Sequence, residues 1–286
     1  MKNYLKLMRI HHYIKNILVF AALACSGQLF NTDKLILGIF AFISFCMISS
    51  VVYIINDILD RDKDKNHPIK KMRPIASEVI SVKNAICFAV LLLVIAIIFN
   101  SFCFNVFSSL LLALYLILNI AYSLGLKNIP IIDISILVSG FLIRIIYGAL
   151  ITDITISAWL YLTVLAFSFY FALGKRRNEL KYIKNGKTRK VLKSYSIDFL
   201  DKNMGMCLTL GNVFYALWSL EDKTKLLYDN NYLFCTVPIV LLISMKYSFN
   251  IESESDGDPI EVLLHDKILL ILCILYLLIM FLILYL

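Results

Sequence analysis

Long apolar runs, separated by short charged segments, dominate the pattern of the chain. A helix needs about 20 predominantly apolar residues to cross the hydrocarbon core of a bilayer. The pattern therefore predicts nine transmembrane helices, at residues 17–32, 34–55, 84–100, 102–124, 129–151, 156–174, 203–221, 231–250 and 267–286. The first of these is short and ends in Ser26, Gly27 and Gln28.

The basic residues divide between the two sides of this predicted arrangement. Of the 28 Lys and Arg residues, only Lys34, Lys223 and Lys225 fall in loops after odd-numbered spans, and Arg144 and Lys246 lie within spans. Because cytoplasmic loops of membrane proteins carry an excess of Lys and Arg, we expect the N-terminus to be cytoplasmic and the C-terminus to be outside. Two long loops, 56–83 and 175–202, are then cytoplasmic, as is a short acidic loop at 251–266.

Composition supports an all-α polytopic membrane protein. The mean hydropathy is +0.81 and 60% of the residues are hydrophobic, whereas soluble domains contain about 45–50% apolar residues. We expect one domain over residues 1–286. The net charge is +8. Because most of the basic residues lie in the predicted cytoplasmic loops, this charge does not indicate a nucleic-acid partner. The seven cysteines lie in apolar runs without metal-ligand spacing, which favours buried thiols over disulfides.

Residues 56–77, NDILDRDKDKNHPIKKMRPIAS, place several carboxylates at the predicted cytoplasmic end of a span. Asp57, Asp60 and Asp64 have the spacing i, i+3, i+7, which puts them on one face of a helix over two turns, with Asn56 beside them. Carboxylate oxygens suit Mg²⁺, which usually completes its shell with substrate phosphates. A solvated loop between two membrane helices is the alternative interpretation.

Basic side chains near these carboxylates and in the second long loop could bind phosphate oxygens. Lys71 and Arg73 follow the acidic residues directly. The segment FALGKRRNEL at 171–180 ends a span in Lys175, Arg176 and Arg177. We interpret these three as a phosphate clamp, and the alternative is a positively charged anchor at the end of a span.

The fifth predicted span carries two ionisable residues, Asp133 and Arg144, eleven residues apart. Three helical turns separate them, so they share a face, and ionisable groups inside a membrane usually face an internal cavity. We expect Asp133, which follows Lys127, to contact ligand hydroxyls or to position a basic group. Arg144 is expected to be a buried anchor or, alternatively, to contact a phosphate oxygen.

The pattern N-D-x-x-D-x-x-x-D at the end of a span resembles the first Asp-rich motif of the UbiA-type intramembrane prenyltransferases. Within that superfamily the chain is similar, nearly end to end, to the polyprenyl-phosphate phosphoribosyltransferases. The segments that carry this resemblance are MRIHHYIKNILVF (8–20), NDILDRDKDKNHPIKKMRPIAS (56–77), YSLGLKNIPIIDISILVSGFLIRIIYGA (122–149), FALGKRRNEL (171–180), VLKSYSIDFLD (191–201) and DPIEVLLHDK (258–267).

The resemblance implies helices around a polar cavity open to the cytoplasm, and Mg²⁺ bound by Asp57, Asp60 and Asp64. Most of the superfamily has a second Asp-rich motif where this chain has K-R-R-N-E. Whether Glu179, Asp198 or Asp201 completes the metal site stays open at this point. The 8–20 segment has His12-Tyr13 where a family member often has Trp, which leaves Lys15 and Asn16 as its candidate polar contacts.

The reaction that the resemblance implies is transfer of 5-phosphoribose from 5-phosphoribosyl 1-diphosphate to a polyprenyl phosphate of the decaprenyl type, with release of diphosphate. We expect it at the cytoplasmic face of the inner or plasma membrane. In this reaction Asp133 would contact ribose hydroxyls, and Arg144, if it is not a buried anchor, would contact the lipid phosphate. The expected substrate contacts are Lys15, Asn16, Asn56, Lys71, Arg73, Lys127, Asp133, Arg144, Lys175, Arg176, Arg177, Glu179 and Tyr195.

Two alternatives remain. A related enzyme could move a prenyl group from a prenyl diphosphate to an aromatic quinone or haem precursor, but such enzymes normally have both Asp-rich motifs. A transporter would tend to have Gly- or Pro-broken helices, and the chain has only five prolines.

Overall fold

The structure is a computed structural model that describes residues 2–67, 70–103, 105–181, 190–222, 224, 232–252 and 259–286. Within these ranges the secondary structure is helical and contains no strand, so the all-α prediction is confirmed. The α-helices are α1 Lys2–Met8, α2 Ala21–Ala24, α3 Thr32–Leu59, α4 Arg61–Lys65, α5 Val82–Ser101, α6 Val106–Leu124, α7 Ile132–Ile151, α8 Ala158–Lys181, α9 Ile197–Leu220, α10 Val237–Glu252, α11 Pro259–His265 and α12 Lys267–Tyr285. Short 3-10 helices lie at Lys70–Met72, Leu126–Asn128, Lys190–Ser194 and Tyr232–Thr236, and a longer one at Ile10–Phe20.

Seven helices in the described part of the chain are long and apolar enough to cross a membrane. They are Thr32–Leu59, Val82–Ser101, Val106–Leu124, Ile132–Ile151, Ala158–Lys181, Tyr232–Glu252 and Lys267–Tyr285. The predicted count of nine is therefore not confirmed. The predicted span 203–221 falls in α9, which is 24 residues long but is interrupted by polar residues such as Asn203 and Asn212.

The predicted first span, 17–32, has the wrong bounds. The structure places an 11-residue 3-10 helix at Ile10–Phe20 and the single turn α2 after it, followed by turns over residues 25–30. The apolar helical segment Ile10–Ala24 is shorter than the seven candidate spans. The acidic loop predicted at 251–266 lies partly outside the described residues, as do residues 182–189 of the second basic loop.

Side-chain caps define where several of the long helices begin. The first N–H groups of a helix have no partner within the helix, and an Asn, Ser or Asp side chain just before it can accept from one of them. Such caps precede α3, α5, α6, α9 and α12, and the residues are Asn31, Ser81, Asn105, Ser196 and Asp266.

The described residues pack into two compact units. The first comprises Met1–Lys127 and Ile143–Thr155, and the second comprises Asn128–Leu142 and Ile156–Leu286. Helix α7 therefore contributes its first half to the second unit and its second half to the first.

In the first unit, the 3-10 helix Ile10–Phe20 packs tightly against α7 at Gly148. A Cβ added at Gly148 would lie 1.8 Å from the carbonyl oxygen of Val19, so only glycine allows this approach of the two backbones. Val19 and Tyr147 are fully buried in the adjacent core, together with Phe45 of α3. The segment that carries Lys15 and Asn16 is thereby fixed against α7.

In the second unit, the core lies between α8, α9 and α10. Tyr170 and Leu173 of α8 pack with Leu200 of α9 and Ile251 of α10, and all four are buried. This packing holds the last turns of α8, which carry the predicted basic clamp, in a defined orientation.

Candidate active site

The three predicted metal ligands follow one another at the junction of α3 and α4. Asp57 lies in the last turn of α3, Asp60 joins the two helices, and Asp64 lies in α4. The predicted span ended at residue 55, whereas α3 continues to Leu59 and α4 follows it. Helical spacing nevertheless persists, because the Asp60 amide donates to the Asn56 carbonyl at 2.9 Å and the Asp64 amide to the Asp60 carbonyl at 2.8 Å.

Asp57 and Asp64 are buried and converge on one guanidinium group. Arg73 Nη1 lies 3.1 Å from Asp57 Oδ1 and 2.6 Å from Asp64 Oδ2. Asp57 Oδ1 also accepts from Arg9 Nη2 at 2.5 Å, and the Arg9 guanidinium lies 4.8 Å from the centre of the Tyr53 ring. Two carboxylates 7 residues apart in sequence thus share one positive charge.

Asp60 has its own cationic partner. Lys127 Nζ lies 3.0 and 2.9 Å from its two carboxylate oxygens, and the exposed Lys63 is 3.5 Å from Oδ1. Beside it, Asn56 Oδ1 accepts from Ser123 Oγ at 3.1 Å. We call Asp57, Asp60, Asp64, Arg9, Arg73 and Lys127 the carboxylate cluster. Its three acidic and three basic side chains have no net formal charge.

Two kinds of contact hold the loop that carries Arg73 in place. Ile75 and Ile80 are buried in a core cluster with residues of α1, α3 and α5. Glu78 Oε1 accepts from Lys65 Nζ at 2.6 Å and from Arg61 Nη2 at 2.8 Å. These two hydrogen bonds lower the pKa of the Glu78 carboxyl from its ordinary value, so the contact should persist into more acidic solution. Lys71, predicted to bind phosphate, is exposed on this loop.

Arg144 is buried in the membrane-spanning part of the first unit. Its Nε donates to Asn16 Oδ1 at 2.8 Å, and its Nη2 donates to Tyr115 OH at 3.1 Å. The guanidinium also lies over the rings of Phe45 and Tyr115, at 4.9 and 5.1 Å. These contacts favour the anchor role for Arg144, because they join the 3-10 helix, α3, α6 and α7. Lys15, next to Asn16, is half-buried.

A second buried cluster lies in the second unit. Arg176 Nε is 2.6 Å from Asp133 Oδ2 and Nη1 is 2.9 Å from Glu179 Oε2, and the Arg176 and Asp133 side chains are 1% and 0% exposed. Tyr195 OH donates to Asp133 Oδ1 at 2.7 Å and accepts from the Ile131 amide at 2.6 Å. Burial, with the hydrogen bond to Asp133, raises the pKa of Tyr195 to about 12, so its hydroxyl remains a donor at neutral pH.

The three predicted clamp cations do not point in one direction. Successive residues of an α-helix are about 100° apart around the axis. Accordingly Arg176 faces Asp133, whereas Arg177 Nε is 2.5 Å from Asp201 Oδ1 on α9. Lys175 is half-buried. Of the open metal-ligand candidates, Glu179 contacts Arg176, Asp201 contacts Arg177, and Asp198 is exposed.

Residues 16–188 match the model of the UbiA prenyltransferase family. The chain belongs to this family. The family resemblance predicted from the Asp-rich motif is confirmed, and the protein is a transferase. The chain is 35% identical over 282 residues to the decaprenyl-phosphate phosphoribosyltransferase of Mycolicibacterium smegmatis, covering 94% of this chain and 88% of the relative. It is 33% identical to the enzyme of that name in Corynebacterium glutamicum, covering 94% and 83%.

Solved UbiA structures share the fold of the chain. A UbiA homolog from Archaeoglobus fulgidus, bound to DMAPP and Mg²⁺, superimposes with a TM-score of 0.71 over 99% of both chains at 18% identity. A digeranylgeranylglyceryl phosphate synthase gives a TM-score of 0.66 over 97% of both chains, also at 18% identity. The apolar helices and the family together identify an integral membrane protein of the UbiA fold.

The carboxylate cluster has the donor chemistry that Mg²⁺ requires. In the part of the chain that the structure describes, no group of three Asp, Glu, His or Cys side chains is placed to hold a metal ion. Mg²⁺ usually takes only one or two protein carboxylates and fills its shell with water and substrate phosphates. Asp57 and Asp64, which already share one positive charge at Arg73, fit this requirement.

Sequence reasoning missed Arg9, Tyr53 and Ser123 as members of this site. Arg9 was visible as the basic residue within the segment MRIHHYIKNILVF, but nothing in its spacing connected it to Asp57, which is 48 residues away. Ser123 lies 67 residues from Asn56. Such pairs depend on how α3 packs against the N-terminal segment and α6.

Proposed function

We propose that this UbiA-family transferase moves 5-phosphoribose from 5-phosphoribosyl 1-diphosphate to a polyprenyl phosphate and releases diphosphate. In this proposal the chain works as a single transmembrane domain over residues 1–286, in the inner or plasma membrane, with the carboxylate cluster on the cytoplasmic side. Mg²⁺ is the proposed cofactor.

One observation supports 5-phosphoribosyl 1-diphosphate as the donor. The segment after the apolar part of α8 has the basic residues Lys175, Arg176 and Arg177, and its one carboxylate, Glu179, contacts Arg176. A prenyl diphosphate donor normally calls for a second Asp-rich metal motif here. The full-length relatives named decaprenyl-phosphate phosphoribosyltransferase support the same choice.

The chain's residues fit the charges of this reaction. The sugar donor carries a diphosphate and a 5-phosphate, and the acceptor carries another phosphate. Arg9, Arg73 and Lys127 would hold phosphate oxygens by charge-assisted hydrogen bonds. Asp57 and Asp64 would hold Mg²⁺, with Asp60, the third predicted ligand, beside them. Bound Mg²⁺ stabilises the charge that develops on the leaving diphosphate.

The acceptor needs no general base from the protein, because a phosphate monoester is already ionised near neutral pH. One of its oxygens forms the new bond to ribose C1 as the bond from C1 to the diphosphate breaks, and the electron pair leaves with the diphosphate. Three further predicted contacts, Lys15, Asn56 and Lys71, are proposed to orient the two substrates. Asn16 is buried and bonded to Arg144, so its proposed role is to support that anchor.

The decisive experiment supplies purified enzyme and Mg²⁺ with two alternative substrate pairs. One is radiolabelled 5-phosphoribosyl 1-diphosphate with polyprenyl phosphate, and the other is a prenyl diphosphate with 4-hydroxybenzoate. We expect a labelled lipid product from the first pair alone. Product from the second pair alone would replace the proposal with aromatic prenylation.

Two matched variants test whether the carboxylate cluster is required for the activity. Asp57→Asn should lower turnover on the order of 10²-fold or more, because a ligand that neutralises developing charge is lost. Asp62→Asn removes the same charge from an exposed position outside the cluster and should have little effect. Equal activity of both variants would contradict the metal assignment.

A further inference from the structure

We propose that a groove between α1 and the first turns of α5 binds an anionic phospholipid. The phosphate of this lipid would lie among the lysines beside the groove, and an acyl chain would lie along α5. This binding site goes beyond the proposed function, because neither substrate of the transfer reaction is assigned to this surface of the first unit.

The groove forms where Tyr4 of α1 packs on Phe88 of α5. The two ring centres are 4.9 Å apart and the ring planes are inclined by 67°. The groove has a volume of about 590 Å³ and is lined by Tyr4, Asn84, Cys87, Phe88 and Leu91. This volume lies within the range of roughly 300–1,000 Å³ that is typical of ligand pockets.

The lining residues occupy their own side of α5. Residues 84, 87, 88 and 91 have the spacing i, i+3, i+4, i+7, which places them on one face of the helix. A second face, with Ala85, Ala89, Leu92 and Ala96, is buried in the protein. A third face carries the exposed Ile86, Val90 and Ile97. The groove is therefore distinct from the apolar surface on the other side of the same helix.

The polarity of the groove matches the polarity of a lipid. Asn84 is exposed in the first turn of α5, directly after the exposed Lys83. Leu91 lies seven residues further, which is ~10 Å along the helix axis. A headgroup at Asn84 would thus be followed by an acyl chain against Cys87, Phe88 and Leu91.

The charges beside the groove favour an anionic headgroup. Lys2 and Lys6 of α1 and Lys83 of α5 are exposed, and neither helix contains Asp or Glu. A zwitterionic headgroup would add an ammonium group for which the two helices offer no carboxylate. Clusters of basic residues at a membrane surface attract anionic lipids, so the groove should select phosphatidylglycerol over phosphatidylcholine.

The polar end of the groove lies on the same side of the first unit as the carboxylate cluster. Leu7 of α1 is buried in one core cluster with Ala85 of α5 and Ile54 of α3, and Ile54 is one turn before Asp57. The lipid would therefore belong to the leaflet on the side of the cluster, which is the cytoplasmic leaflet in the proposed orientation.

Cys87 provides the reporter for the test, because it is exposed and lines the groove. Purified full-length protein in a non-ionic detergent is titrated with phosphatidylglycerol or with phosphatidylcholine of the same acyl chains. The rate at which a maleimide alkylates each cysteine is followed by peptide mass spectrometry, and its dependence on lipid concentration gives a Kd for each lipid. Cys235 is also exposed but belongs to the second unit, so it serves as the internal control.

Phosphatidylglycerol should protect Cys87 selectively. At ten times its Kd, about one groove in eleven is empty, so Cys87 should react roughly 10-fold more slowly while the rate at Cys235 is unchanged. Phosphatidylcholine at the same concentration should have a much smaller effect. Equal protection of Cys87 by the two lipids, or protection by neither, would contradict the proposed site.

Lysine variants test the selection of the headgroup. Lys2→Gln and Lys83→Gln should each weaken phosphatidylglycerol binding about 5-fold and leave phosphatidylcholine binding unchanged, as expected for one basic residue at an anionic membrane surface. Lys267→Gln removes a charge from the matching exposed position at the start of α12 and should alter neither. An unchanged preference for phosphatidylglycerol in both groove variants would contradict the charge selection.

A second pair of variants tests the groove itself. Cys87→Trp should fill the groove, so native mass spectrometry should find one fewer phosphatidylglycerol molecule retained per protein. Ile86→Trp places the same ring on the next residue, on the exposed third face of α5, and should retain as many as the unmodified protein. Equal lipid retention by the two variants would place the lipid elsewhere and refute the proposed site.

The lipid site and the transfer reaction can fail separately, because these measurements use neither metal ion nor sugar donor. Polyprenyl phosphate is tested as a competitor in the same alkylation assay, and we expect it to protect Cys87 less well than phosphatidylglycerol does. Better protection by polyprenyl phosphate would assign the groove to the acceptor. That result would overturn the phospholipid site and leave the proposed transfer reaction standing.

Discussion

Removal of Arg176 should act first on stability and only secondarily on donor binding. The Arg176 side chain is 1% exposed and is bound to two carboxylates of the protein, Asp133 and Glu179. Arg176→Met replaces the guanidinium with an apolar chain of similar length. Asp133, whose side chain is 0% exposed, would then keep its hydrogen bond from Tyr195 but would lose its cation.

The expected loss is large because a buried charge is left uncompensated. Breaking a buried ion pair by removal of one partner costs about 3–5 kcal/mol. At the 2–4 °C per kcal/mol typical of large domains, this corresponds to a fall in Tm of about 6–20 °C. Adding Asp133→Asn removes the orphaned charge and should recover most of the loss. Double-mutant analysis of the two changes should give a clear coupling energy.

Arg177→Met is the matched control, one residue further along the same helix. Its partner Asp201 is 44% exposed, and a pair of this kind contributes about 0–1 kcal/mol. Thermal unfolding of the variants in detergent, followed by circular dichroism, gives the stabilities. The reasoning is refuted if Arg176→Met unfolds at the temperature of the unmodified enzyme and raises only the KM for the sugar donor.

Three further predictions concern other features of the structure. Gly148→Ala should sharply lower the yield and Tm of folded protein, because its Cβ would meet the Val19 carbonyl oxygen at 1.8 Å. The control is Gly205→Ala, because a Cβ at residue 205 has no neighbour within 4 Å; its Tm should equal or exceed that of the unmodified protein. Tyr195→Phe should lower the free energy of unfolding by about 1–3 kcal/mol, measured by thermal unfolding, because the buried Asp133 Oδ1 loses its hydrogen bond. A reporter fused after Leu286 should be active only outside the cytoplasm, and cytoplasmic activity would contradict an odd number of spans.

The helical architecture could be predicted because its signals are local. Apolar runs of about 20 residues identify spans wherever they occur, and cap residues such as Ser81 and Asn105 precede the helices that they begin. The spacing of Asp57, Asp60 and Asp64 survives the break at Leu59, because the i to i−4 hydrogen bonds continue across it.

The partners of the charged side chains could not be predicted, because they depend on tertiary packing. Asp60 binds Lys127, 67 residues away, and Arg176 binds Asp133, 43 residues away. Helix geometry alone could have shown that Lys175, Arg176 and Arg177 diverge. Sequence pattern did not reveal the 3-10 helix at Ile10–Phe20, since its residues are as compatible with an α-helix.

The tight winding of that segment has a consequence for length changes in the chain. A 3-10 helix has three residues per turn, so residues 10, 13, 16 and 19 form one straight row. Three of them make the inward contacts of the segment: Tyr13 with Ser50, Asn16 with Ser49 and Arg144, and Val19 with the backbone at Gly148. An insertion or deletion of one or two residues within the row would turn everything beyond it by a third or two thirds of a turn. Length variation between residues 10 and 20 should therefore be tolerated only in steps of three.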